Sequence, residues 1–296
     1  MFDRWYLILP FCSGLLYAVS AIALKPAMER GLGMWRISAL TQWTMSLIFS
    51  LFLFGVEGDL LPDPFWPSLV AGLLFFLGGL ATIIAINYGD VSVATPVMGS
   101  KVVLVAFIVV FFLDESLSIQ VWIAAGLTFI GVLALNFGKK GSGAGRKKAL
   151  MTILIAFLSS VLFATVDVMT QHWCAIQGFN RFVGWSSICA GAFAFLLIPK
   201  FKAPIWQIPK GVMPYLSFGA IGMAVQAIGM ALGVGCFEDA TGSNIVYSGR
   251  GMWSVVLVWW IGHWFHNQEK EAGRETMIGR LIGSVLIFAA IVILFL

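Results

Sequence analysis

Gly138-Lys-Lys-Gly-Ser-Gly-Ala-Gly-Arg-Lys-Lys148 lies close to the middle of a chain of 296 residues, and on both sides of it the chain is a succession of apolar runs. Glycine, serine and like-charged residues in this mixture form a flexible, self-repelling linker. The glycines do not make a phosphate loop, because no strand precedes them and no GxxxxGK[ST] follows. Five runs lie before the linker and five after it. Their approximate spans are Trp5–Leu24, Ile37–Phe54, Ser68–Ile86, Val93–Leu113 and Val121–Phe137, then Ala149–Thr170, Phe182–Ile198, Val212–Phe237, Asn244–Phe265 and Met277–Leu296. A bilayer core about 30 Å thick needs roughly 20 apolar residues in a helix rising 1.5 Å per residue. The runs are continuous rather than alternating, which selects helices over barrel strands.

Composition agrees. The chain is 60% hydrophobic and 11% charged, with a mean hydropathy of +0.94, against roughly 45–50% apolar and about 25% charged for soluble domains. Too few charges are present to coat a water-exposed surface of this size. A net charge of +4 would in a soluble chain suggest nucleic acid, but the basic residues fall in short clusters between apolar runs, so no nucleic-acid partner is expected. The expected fold is an all-α integral membrane protein of ten transmembrane helices. It divides into a five-helix repeat over residues 1–138, the linker 139–148, and a second five-helix repeat over 149–296. Met1–Leu24 reads as the first spanning helix rather than a signal peptide, since its n-region is weak and its cleavage site unconvincing.

The loops after the odd-numbered spans, with the adjacent helix ends, hold fourteen of the 18 lysines and arginines, including Lys25, Arg30, Arg36, Lys139, Lys140, Arg146, Lys200, Lys210, Lys270 and Arg280. The opposite face has Arg4 and Arg181. The positive-inside rule makes the basic loops cytoplasmic and puts both termini outside, in a multi-pass protein of the cell membrane. Five crossings per half would orient the halves oppositely, so any internal repeat is inverted. A shift of 149 residues sets Asp90 on Asp239, Ser92 on Thr241, Val97 on Val246, and Gly99-Ser100-Lys101 on Ser248-Gly249-Arg250. A shift of 146 sets Ser13 on Ser159, Tyr17 on Phe163 and Ala18 on Ala164.

Lys101 and Arg250 each lie about 10–12 Å deep by residue count. A cation near the bilayer centre costs at least about 2.5–3.5 kcal/mol on insertion scales, so each must face a water-filled cavity or a counter-ion. One reading is a structural ion pair with Asp167; the other is a pocket for the anionic group of a ligand, with arginine gripping a carboxylate or phosphate at two points. Asp167 is the acid well inside a run and the candidate for proton coupling, since apolar burial raises a carboxylate's pKa and a nearby cation lowers it. The alternative for it is a structural pair or a helix-end hydrogen bond. Tyr17, Gln226 and Tyr247 are weaker substrate-orienting candidates; Gln42 is another intramembrane polar group, and interhelical hydrogen bonds are the commoner use of such side chains. Tyr17 shares a helical face with Ser13 and Ser20.

Gly229-Met-Ala-Leu-Gly233 and Gly279-Arg-Leu-Ile-Gly283 are small-xxx-small patterns that suit helix packing within a monomer or a homodimer. Trp5, Trp35, Trp66 and Trp264 read as an interfacial belt. Cys12, Cys174, Cys189 and Cys236 have no metal-ligand spacing and read as small core residues. His263 and His266 lack a third ligand, so no metal and no cofactor is expected. Tyr88-Gly89-Asp90 is too near a helix end, and lacks the partner aspartate, for an aspartyl intramembrane protease. A serine protease would need a deep histidine, so no enzyme is expected.

The ten helices, the five-plus-five arrangement and the segment Ala94-Thr-Pro-Val-Met-Gly-Ser-Lys-Val-Val-Leu-Val-Ala-Phe-Ile-Val-Val-Phe-Phe-Leu-Asp-Glu115 resemble the drug/metabolite transporter superfamily, EamA-like branch. Gln120-Val-Trp-Ile-Ala-Ala-Gly-Leu-Thr-Phe-Ile-Gly131 is similar to that family's glycine-rich fifth helix, and Glu115 to its acidic residue closing the fourth. The second half departs from the motif, with His263-Trp-Phe-His-Asn-Gln-Glu269 in the matching place. Many family members are also drawn with cytoplasmic termini, against the charge bias here. The resemblance implies a central cavity lined by the first, third, fourth, sixth, eighth and ninth helices, where Tyr17, Lys101, Asp167, Gln226, Tyr247 and Arg250 fall. The expected function is secondary active transport of a small polar metabolite, carrying a carboxylate or phosphate, by alternating access. The alternatives are a proton-coupled carrier of neutral sugars, an exporter of amphipathic compounds or amino acids, and, outside transport, a lipid scramblase or receptor.

Overall fold

The computed structural model describes residues 4–88, 94, 97–135, 146–261 and 274–295, and among them every regular element is helical. The helices are α1 (Ile8–Ala27), α2 (Met34–Ser50), α3 (Trp66–Tyr88), α4 (Lys101–Phe112), α5 (Ile119–Leu135), α6 (Arg146–Gln177), α7 (Phe179–Ala194), α8 (Met213–Gly235), α9 (Ala240–Tyr247), α10 (Arg250–Ile261) and α11 (Arg274–Leu294). Six stretches are long and apolar enough to cross a bilayer: Trp5–Ala27, Met34–Gly55, Trp66–Ala85, Lys147–Gln177, Phe179–Lys200 and Met213–Gly235. Lys101–Phe112, Ile119–Leu135 and Ile278–Leu294 are shorter apolar helices.

Each run expected from sequence contains helix, with two instructive differences. The helix of the ninth run begins at Ala240 rather than Asn244 and is interrupted at Ser248-Gly249. In the fourth run a turn at Gly99-Ser100 precedes α4. Lys101 and Arg250 therefore each open a 12-residue helix instead of lying in the middle of one. The two interruptions share one backbone pattern. Ser100 N–H donates to Val97 O and Gly249 N–H to Val246 O, both at 3.0 Å; Val102 donates to Gly99 O and Gly251 to Ser248 O. These are bonds to the third residue back rather than the fourth, a local 3₁₀ tightening where glycine and serine weaken the α-helix. The linker boundary also shifts, because α6 begins at Arg146, inside the stretch read as linker; residues 139–145, His263, Trp264, His266 and Glu269 lie outside the described residues.

Bilayer solvent shows in what is inside. Ala18, Ala27, Ala39, Ala124, Ala164, Ala194, Ala224 and Ala290 are buried, whereas Leu47, Phe54, Phe111 and Phe112 are exposed. Small residues let backbones approach, and bulky apolar ones face lipid. Trp5 and Trp66 are exposed as interfacial residues would be. Of the cysteines, Cys174 and Cys189 are buried, but Cys12 and Cys236 are exposed, against the expectation that all four are core residues; an apolar exterior makes an exposed cysteine cheap.

The main helix contacts are α1 on α8, α3 on α6, α2 on α7, and α5 on α11, with α1 against α10, α4 against α6, α3 against α7, α2 against α8 and α4 against α9. Both small-xxx-small motifs are used within the chain. A Cβ on Gly283 would lie 2.6 Å from Gly131 O, and Gly229 and Gly233 of α8 make room for Ser13 and Pro10 of α1. Gly33 before α2 (φ 80°, ψ 142°) and Gly178 before α7 (φ 83°, ψ 140°) have the same left-handed conformation, which lets each preceding helix reverse without strain. Both α2 and α7 then tighten into 3₁₀ turns, Leu51–Gly55 and Phe195–Lys200.

Candidate functional site

Among the described residues the deep charges gather where α1, α4, α6, α8, α9 and α10 meet. Lys101 Nζ lies 2.7 Å from Asp167 Oδ2, both side chains only partly exposed at 20% and 15%. Asn244, buried on α9, donates its Nδ2 to the same oxygen at 2.6 Å and to Ala240 O at 2.8 Å. The structural ion pair weighed from sequence is thus formed, with Lys101 as the partner. A cation in low dielectric and a carboxylate at contact distance offset part of each other's desolvation. Lys101 also lies 5.8 Å from the ring centre of Phe163.

Arg250 is answered differently. Its guanidinium carbon is 4.8 Å from the Tyr17 ring centre and 4.6 Å from that of Tyr247. The two rings stand 6.1 Å apart, edge to face, at 73°. Tyr247 OH donates to Gln226 Oε1 at 2.8 Å, and Gln226 Nε2 donates to Met223 O, which fixes the Tyr247 ring from α8. Each cation–aromatic contact contributes about 0.5–2 kcal/mol, more as water is excluded. Gly14 brings α1 this close, since a Cβ there would stand 3.2 Å from Tyr247 O and 3.3 Å from Arg250 N.

All six residues singled out from sequence therefore fall into two touching groups, Lys101 with Asp167, and Arg250 with Tyr17, Tyr247 and Gln226. Ser13 and Ser20 turn away, packing on Gly229 and Gly222 of α8. Gln42 stands apart from both groups, its Nε2 buried without a hydrogen-bond partner. Sequence reasoning missed Asn244, although its place three residues before Tyr247 puts both on one helical face. Among the described residues, this interior region brings together two cations and one carboxylate. Both cations also stand at helix N-termini, where the peptide dipoles add positive potential.

A second polar group lies nearer the helix ends that carry Glu57, Glu115, Glu238 and Asp239, called here the acidic end. Gln171, one turn beyond Asp167 on α6 and 3% exposed, donates Nε2 to Glu115 Oε1 at 2.7 Å and accepts the Ala240 amide on Oε1 at 2.9 Å. Tyr6 OH donates to Asp239 Oδ2 at 2.7 Å, while Asp239 Oδ1 caps α9 through Gly242 N. Partial burial pushes the Glu115 carboxyl above the usual carboxylate range; the Gln171 hydrogen bond opposes this, and the charges of Glu238 and Asp239 add to it. No cluster of metal-ligating side chains occurs among the described residues.

A model of the EamA-like transporter family matches residues 4–137. No curated protein matches the chain. A solved structure described as "Crystal structure of protein" is similar, with a TM-score of 0.75 at 16% identity over 98% of this chain and 96% of that one. At that identity the likeness speaks for the fold.

Proposed function

From the match of residues 4–137 to the EamA-like transporter family, we propose that this multi-pass membrane protein carries a small anionic metabolite by alternating access. The convergence of Lys101 and Arg250 on one polar region, each at the start of a helix, carries the reading. A carboxylate or phosphate entering beside Arg250 meets two cations and two helix N-termini, a combination that favours an anion. Tyr17 and Tyr247 hold the guanidinium plane, and a planar guanidinium offers two parallel donors to such a group. Lys101 serves as the second contact when the anion competes with Asp167, and the displaced carboxylate then becomes a proton acceptor, the coupling role assigned to Asp167.

The ten-helix, five-plus-five inverted repeat is part of the proposal, and the packing supports it. Exchanging each span with its counterpart five later turns α1–α8 into α6–α3 and α1–α10 into α6–α4, while α2–α7, α5–α11 and α4–α9 map onto themselves. The paired left-handed glycines before α2 and α7 and the paired 3₁₀ steps before the cations point the same way. We place the protein in the cell membrane with the basic loops cytoplasmic, the lipid bilayer and protons as its other partners, as a monomer or homodimer.

Flux into proteoliposomes tests the function. Screening labelled mono- and dicarboxylates and phosphate esters against neutral sugars should give anion-dependent uptake that collapses in Arg250→Gln. Uptake of neutral solutes that survives Arg250→Gln would instead support the carrier of uncharged compounds, the reading favoured by the Lys101–Asp167 pair if both cations are structural.

A further inference from the structure

α6 presents two polar side chains one turn apart, and each reaches the same two neighbours. Asp167 takes Lys101, the first residue of α4, and Asn244 of α9. Gln171 takes Glu115, just past the end of α4, and the backbone amide of Ala240 at the start of α9. Ala240 and Asn244 are themselves one turn apart, so the contacts form two rungs between the interrupted spans, one beside the candidate site and one at the acidic end. The end rung is reinforced from α1. Tyr6 donates to Asp239, and its ring stacks on Phe237 at 4.5 Å with 7° between planes.

We propose that Gln171 is a positioning residue that latches the acidic end of the bundle shut, and that the latch must break each time the central site opens to that end. The proposal rests on the alternating-access reading above. Gln171 suits the task because a primary amide has one donating and one accepting end, and here each end is used on a different element. Its partners are groups that water can replace once the end opens: a carboxylate on an exposed residue and a helix N-terminal amide. The Asp167 rung lies on the same helical face, so a movement of α6 that frees Gln171 also loads the Lys101–Asp167 contact. Closure of the acidic end and occupancy of the site are thereby tied to one helix.

The test uses the full chain in sealed membrane vesicles of both orientations, without any transported solute. A background lacking Cys12, Cys174, Cys189 and Cys236 carries one reporter, Gln226→Cys, beside Tyr247, read by the rate of labelling with a membrane-impermeant maleimide. Asp59→Cys in the exposed loop between α2 and α3 marks which vesicles present the acidic end. Gln171→Ala should raise reporter labelling at least tenfold in those vesicles and leave it unchanged in the opposite ones. The paired exchange Glu115→Gln with Gln171→Glu, which rebuilds the hydrogen bond with donor and acceptor swapped, should return the rate to that of the background. Unchanged labelling in Gln171→Ala, an equal rise from both faces, or no recovery in the swapped pair would each overturn the latch. Because no ligand is added, this outcome stands apart from whether the substrate is an anion.

Discussion

Lys101 and Arg250 each begin a 12-residue helix after a 3₁₀ turn of the same pattern, yet their surroundings differ. Lys101 faces a carboxylate at 2.7 Å and the ring of Phe163 at 5.8 Å; Arg250 faces two tyrosine rings at under 5 Å. The backbone at these two places is duplicated while the chemistry has diverged. The 146-residue shift that sets Tyr17 on Phe163, each a ring beside one of the cations, sets Ala21 on Asp167. Each cation is met across the two halves of the chain, Lys101 by a carboxylate on α6 and Arg250 by a tyrosine ring on α1, so the polar region is built by both halves together.

Removing the exceptional member of the pair should have the largest effect. Arg250→Ala is expected to reduce anion flux at least about 100-fold, the cost of a charge-assisted two-point contact of about 3 kcal/mol. Arg250→Lys, which keeps the charge but not the planar fork, should recover only part of it. If Arg250→Ala transports normally, the contrast drawn between the two cations fails.

Asp167→Asn should lower stability, besides removing the carboxylate proposed to take up the coupling proton. Leaving Lys101 in the interior without its carboxylate is expected to cost about 3 kcal/mol, seen as a lowered unfolding midpoint in detergent. The double variant Lys101→Met with Asp167→Leu should restore most of it. A single variant as stable as the parent would mean that water already solvates the pair.

A smaller effect separates ring from hydroxyl at the aromatic cage. Tyr247→Phe keeps the face over Arg250 and loses the hydroxyl's bonds to Gln226 and Arg250, each worth about 1 kcal/mol, whereas Tyr247→Leu loses the cation–aromatic contact as well, adding about 0.5–2 kcal/mol. Comparing unfolding midpoints of the two variants sharpens which feature holds Arg250.

The smallest effect is the pH response of Glu115. Its carboxyl titrates above the ordinary value in the folded protein, so the native state binds the proton before the unfolded state does. Stability contributed by this group then rises as pH falls through the raised folded value towards about 4.5, and is lost as pH rises through it. The parent's midpoint should gain on that of Glu115→Gln over this window; a difference that is flat with pH would place Glu115 in ordinary solvent.

Much of this was legible in the sequence, and the reasons are physical. Long apolar runs announce helices because lipid forbids unsatisfied backbone, and an intramembrane lysine, arginine and aspartate announce a polar centre because each is too costly to be incidental. The interruptions at Gly99-Ser100 and Ser248-Gly249 were hard to see, since a proline (Pro96) stands near only the first and glycine and serine are common in transmembrane helices. The Glu115–Gln171–Ala240 bridge was hidden for another reason: its members lie 56 and 69 residues apart in the chain, and only the packing of α4, α6 and α9 brings them together.

The most direct test of the anion site is a thermal-shift titration of the purified parent, Lys101→Ala and Arg250→Ala with matched pairs of carboxylates or phosphate esters and their uncharged amides or alcohols. A ligand at 100 times its dissociation constant stabilises by about 2.7 kcal/mol, well within reach of such a measurement. Stabilisation of the parent by the charged member alone, lost in Arg250→Ala and weakened in Lys101→Ala, is the predicted result. Equal stabilisation by the uncharged member, unchanged in both variants, would contradict an anion site and make the two cations structural.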